Sequence, residues 1–108
     1  MRSFLYMGYN TTNMKGRLVY HVKEYRVDGS IEEIKIWQVP ATDDKPYGLK
    51  YSFVHIVEGK RIVGYDNSEG KGDHRHCRGE EHPYAFESLD KLWSDFRRDI
   101  EECREEKP

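Results

Sequence analysis

Between Arg17 and Val27 the apolar side chains fall on alternate positions, with Leu18, Tyr20 and Val22 set among polar neighbours before Tyr25 and Val27 continue in the opposite phase. Alternation is the mark of a half-buried strand, and a change of phase needs one extra residue, so the pattern predicts a strand with a bulge near Lys23 and Glu24. Asp28-Gly29-Ser30 is a hairpin turn signal, and Ile31 to Val39 resumes with β-branched and aromatic residues. Pro40, Asp43, Asp44, Pro46 and Gly48 then mark an exposed connection. Lys50 to Val57 reads as a third strand, Glu58-Gly59-Lys60 as a tight turn, and Arg61 to Asp66 as a fourth strand.

A helical period takes over near the C-terminus. Ser88 offers an N-cap, and Leu89, Leu92, Trp93, Phe96, Ile100 and Cys103 follow on one stripe. Phe86, just before the cap, is placed to pack the chain entry. Arg97 and Arg98, among Asp95, Asp99, Glu101 and Glu102, read as the solvated side of this helix. The fold expected is α+β: an antiparallel meander of about four strands covered by one C-terminal helix, in a single domain over residues 17–108. Residues 1–16 show no clear period and read as a flexible arm or an added edge strand.

A chain of 108 residues has room for one core, and 36% hydrophobic against 35% charged residues makes that core small and the surface densely ionic. With 18 basic and 20 acidic residues, binding to nucleic acid by net charge alone is excluded, and any phosphate site must be local. Scarce glutamine, only Gln38, beside abundant Glu, Lys and Arg is a trait of heat-adapted proteomes. Cys77 and Cys103 are too few for a disulfide framework, and whether they pair is left open. The lack of an 18-residue apolar run or a signal-peptide core leads to the expectation of a soluble, cytoplasmic protein without membrane contact.

The segment from Tyr65 to Phe86 holds three of the 5 histidines, with basic and acidic side chains that no hydrophobic period requires. Gly70-Lys71-Gly72 can expose backbone amides and bring an ammonium to an anion, although the Gly-Lys-Ser/Thr step of a nucleotide phosphate loop is missing. His74 and His76 project from one face of an extended backbone, with Arg75 opposite. Such a pair suits RNA cleavage: one imidazole withdraws the 2′-hydroxyl proton, the other protonates the leaving oxygen, and cations hold the phosphate. On this reading His74 and His76 are acid and base, Asp73 orients an imidazole, Lys71 and Arg75 bind phosphate, and Tyr65 and Tyr84 stack on bases, with no cofactor. The same His-x-His supplies two metal ligands, which His82, Cys77 or an acidic residue would complete. A third reading has the histidines bonding loop carbonyls at the rim of the sheet.

Val63-Gly64-Tyr65-Asp66-Asn67, then Gly70-Lys71-Gly72-Asp73-His74-Arg75-His76, then Pro83-Tyr84-Ala85-Phe86 and a helix with Asp95-Phe96 and Asp99-Ile100 together resemble the TumE family of prokaryotic toxin-antitoxin systems. The similarity runs from about Leu18 to Ile100 and includes Ile34, Ile36 and Trp37. It implies a small growth-inhibiting toxin with a cognate antitoxin, often of helix-turn-helix type, and toxins of this kind most often act on RNA. The expectation is therefore a metal-independent endoribonuclease. Its rivals are a binding protein that inhibits by occupancy and a group-transferring toxin. An exposed edge strand leaves room for a homodimer or for strand addition by the antitoxin.

Overall fold

The computed structural model describes residues 2–6, 16–68, 70 and 72–104. Seven antiparallel strands cross a single sheet in chain order: β1 (Arg2–Tyr6), β2 (Arg17–Tyr25), β3 (Ile31–Gln38), β4 (Leu49–Val57), β5 (Lys60–Asp66), β6 (His74–Cys77) and β7 (Glu80–Pro83). Helix α1 (Leu89–Glu102) packs on one face, and the α+β meander is as expected. No helix among the described residues is long and apolar enough to cross a membrane.

Three strands join the predicted four. Arg2–Tyr6 pairs with the edge of β2, so this part of residues 1–16 is the edge strand of the two alternatives, while residues 7–15 lie outside the described residues. The histidine segment, expected as a rim loop, is a hairpin. Arg78 and Gly79 both take positive φ, 49° and 87°, which forms the two-residue turn that Glu58 and Gly59 repeat between β4 and β5. The bulge lies between Leu18 and Tyr20 rather than at Lys23 and Glu24. Val27, at 89% exposure, belongs to the following turn, so the apparent change of phase there is the hairpin itself.

The helix-facing side of the sheet carries Ile34, Tyr51, Phe53, Val63 and Tyr65, which close on Leu92, Phe96 and Cys103. Leu92 and Phe96 are fully buried, each contributing roughly 1.5–3 kcal/mol by area. Ser88 Oγ accepts the Lys91 amide and starts the helix as predicted. Cys103, at its C-cap, forms a disulfide with Cys77 and fastens the helix end to β6. Trp93 is 44% exposed, under the Arg97 guanidinium.

The polar side of this interface differs from the solvated face expected. Asp99 is 0% exposed and accepts hydrogen bonds from the Tyr65 hydroxyl and from Arg75 Nε, each at 2.5 Å. Asp95, also buried, accepts from Tyr84, Lys91 and Arg98, and Arg97 reaches across to the buried Glu32 of β3, which Arg26 holds from the other side. Asp95 and Asp99 lie on the arc shared by Leu92, Phe96 and Cys103, and are tolerated there because each has several donors. Burial acts to raise the Asp99 carboxyl, but hydrogen bonds from Arg75 and Tyr65 outweigh it and hold the group below the usual carboxylate range. Asp95 and Glu32 are depressed in the same way.

A carboxylate depressed in the folded state contributes stability above its unfolded pKa and loses it as pH falls through the folded pKa. Stability should therefore fall as the pH drops below about 4. Asp99→Asn, which leaves Arg75 without its counter-charge, should cost roughly 3 kcal/mol at neutral pH and flatten that acid limb, as read from urea unfolding between pH 3 and 7. An unchanged midpoint would remove Asp99 from this role. Reduction of Cys77–Cys103, which are 26 residues apart, should cost roughly 3 kcal/mol in the same assay.

Candidate functional site

Alternation along β5 and β6 divides the histidine segment between the two faces of the sheet. Pairing of Tyr65 with Arg75 and of Val63 with Cys77 places these four on the helix side. Pairing of Asp66 with His74, and of Gly64 with His76, places those on the face that α1 does not cover, and β7 adds Glu81 opposite His76. His74 Nε2 lies 3.0 Å from Asp66 and 3.3 Å from Glu81, and His76 Nε2 lies 3.8 and 3.9 Å from the same carboxylates. The two rings meet edge to face with centroids 5.3 Å apart.

Hydrogen bonds orient each ring. His74 is 6% exposed, and its Nδ1–H donates to the Gly72 carbonyl at 3.0 Å, which turns Nε2 toward the carboxylates. Arg61 donates to His76 Nδ1 at 3.1 Å. The Arg61 side chain crosses β5 directly over Gly64, where a Cβ would stand 2.9 Å from Arg61 Cδ. Glycine is needed there to let the guanidinium reach the histidine. Burial, then the Arg61 charge, lowers the His76 pKa below its ordinary value, partly offset by Glu81 and Asp66.

The remaining members of the segment build the frame. Asp73 accepts from the Tyr51 hydroxyl at 2.6 Å and touches neither imidazole in the hydrogen-bond pattern. Asn67 accepts the Tyr51 amide and donates to the Leu49 carbonyl, which clamps the start of β4. The Gly72 amide is taken by Asp44 at 3.2 Å, so the anion seated on this glycine turn is the protein's own. Lys71 lies outside the described residues.

Arg75 and Tyr65, expected to hold phosphate and a base, instead face α1 and converge on Asp99, because each lies one position out of phase with the histidines. The Tyr65 ring is fully buried, and Tyr84 stands edge-on to it with its hydroxyl on Asp95. A cleft of about 570 Å³ opens here, and Tyr65, Arg75 and Tyr84 line it together with Lys91, Asp95 and Asp99, joined to one another by hydrogen bonds. Cys77 is taken up by its disulfide, and His82, opposite Arg75, faces away from the His74–His76 pair.

Residue-type reasoning missed Asp66, Glu81 and Arg61. Asp66 and Glu81 become neighbours of the histidines only through strand pairing, although the Arg78-Gly79 turn could have revealed that hairpin. The same open face continues through Val54 and Ser52 of β4 to Lys50, Trp37, Lys35 and Lys23. There the Lys50 ammonium sits 4.8 Å from the Trp37 ring centroid.

No curated protein and no solved structure matches the chain. A family model does: the one described as Toxin TumE matches residues 5–104, reaching back beyond Leu18 to take in the end of β1. Covered over nearly its whole length by that match, the chain belongs to the TumE family of toxins.

Proposed function

We propose that this toxin arrests growth by cutting RNA, with the scissile phosphate over the His74–His76 pair. The observation that carries this reading is the convergence of both imidazoles with Asp66 and Glu81 on an uncovered sheet face. Lys23, Lys35 and Lys50, with Glu33 among them, put cations on that face beside the Arg61, Asp66 and Glu81 cluster, in a chain of net charge −2. Sheet faces that pair cations with an aromatic ring suit single-stranded RNA, since phosphates take the charge and bases stack.

RNA brings its own nucleophile to such a site. The 2′-oxygen attacks phosphorus while its proton passes to one imidazole; the P–O5′ bond breaks, and the departing 5′-oxygen takes up a proton from the other. The products are a 2′,3′-cyclic phosphate and a 5′-hydroxyl. Arg61 lies where its guanidinium can face the extra negative charge gained during attack. Lys35, Lys50 and Trp37 are the binding tract, while Arg75, Tyr65 and Asp73 act by holding β5 and β6 in place.

Membership of the family implies a cognate antitoxin as partner. We take it to be of helix-turn-helix type and to neutralise by covering the open face.

Purified toxin incubated with total RNA should leave ends bearing 2′,3′-cyclic phosphate at far below one toxin per cut. His74→Ala and His76→Ala should each lower the rate at least 100-fold while keeping the circular dichroism of the parent. Full toxicity in both folded variants would sink the assignment, and inhibition only at stoichiometric ratios would favour occupancy. Lys35→Ala and Lys50→Ala should weaken RNA binding uniformly across sequences, each reducing the slope of log K against log salt by about 0.7. Slopes equal to the parent's would place the RNA elsewhere.

A further inference from the structure

The cluster on the open face has a property that proton transfer does not require. The His74 Nδ1–H bond to the Gly72 carbonyl turns Nε2 into the space that Asp66 and His76 Nε2 also face. Three side chains of metal-ligating type thus converge on one point of the open face. We infer that Asp66, His74 and His76 form a three-residue binding site for a divalent transition metal of the zinc class.

The distances support a cation in that position. Ligand atoms about 2.0–2.1 Å from a tetrahedral metal stand roughly 3.3 Å from one another. His74 Nε2 stands 3.0 Å from Asp66 Oδ1 and His76 Nε2 3.8 Å from Asp66 Oδ2, and one ligand atom from each of the three residues lies within 4.8 Å of the others. Two imidazoles with a carboxylate suit zinc or manganese better than magnesium, which favours oxygen ligands in an octahedron. The carbonyl of Gly72 is the outer partner that fixes the ring of a ligating histidine.

His76 needs one adjustment. Arg61 donates to Nδ1, so the ring proton resides on Nε2. On metal binding that proton moves to Nδ1, Nε2 takes the metal, and the exposed Arg61 side chain swings away, with no net change in protons. Arg61 is therefore a competitor for the site, held in place over Gly64.

The inference deepens the RNA reading and rests on it only for the metal's use: a cation here would lower the pKa of a coordinated hydroxyl, the 2′-hydroxyl of RNA among them. Its test is binding, not activity. Protein freed of metal with chelator and titrated calorimetrically with Zn²⁺, and separately with Mn²⁺, should bind one ion. Asp66→Ala and His74→Ala should each weaken that binding at least 100-fold, His82→Ala should leave it unchanged, and Arg61→Ala should strengthen it several-fold. No uptake by the parent protein at 100-fold excess of either metal would overturn the site, as would unaltered affinity in a folded His74→Ala variant. RNA cleavage by protein that takes up no metal would refute the site and leave the RNA reading standing. One bound ion without cleavage of any RNA would do the reverse.

Discussion

The rest of the structure depends on the buried Asp99 carboxylate. It has no solvent of its own, and its charge is carried by Arg75 of β6 and the hydroxyl of Tyr65 of β5. One charged atom on the helix thereby fixes two neighbouring strands at once. Hydrophobic contact between Phe96 and Phe53 holds the helix to the sheet but is indifferent to small slides, whereas a charge-assisted hydrogen bond is lost over a fraction of an ångström. The disulfide from Cys103 to Cys77 secures the same strand one turn further along the helix. The β6 strand, only four residues long and next to the sheet edge, would otherwise have little to define its register.

Register matters because the site is built on the other side of those same residues. Strand side chains point alternately to opposite faces, so locking Tyr65 and Arg75 inward necessarily presents Asp66, His74 and His76 outward. Structural and chemical members of the segment are thus interleaved rather than mixed at random. Asn67, Gly72 and Asp73, at the two ends of the β5–β6 connection, are tied to Leu49, Asp44 and Tyr51. Gly64 has a distinct part, since only a missing side chain lets Arg61 lie across the strand to His76.

Much of the scaffold was legible in the chain. Alternation in Ile31 to Val39 and Lys50 to Val57, the turns at Gly29 and Gly59, the Ser88 cap and the stripe through Leu92 and Phe96 all correspond to real elements. The β6–β7 hairpin was hidden because its strands carry His, Arg and Glu where a half-buried strand usually carries Val or Ile, leaving no hydrophobic period. Arg97, Asp95 and Asp99 looked solvated for a related reason: residue type predicts exposure only on average, and a buried charge is stable wherever enough partners meet it. Those partners are 20 or more residues distant for Asp99, and no local pattern reveals them.

By itself the amino-acid sequence determined that a meander and one amphipathic helix would form, and that His74 and His76 would share a face, because these follow from short-range periodicity and the twofold geometry of a strand. Only the tertiary structure decided which face that is, that Arg75 and Tyr65 serve the core, and that Asp66, Glu81 and Arg61 surround the histidines. Those outcomes depend on which strands pair and on which side the helix packs. Both are settled by contacts between residues far apart in the chain.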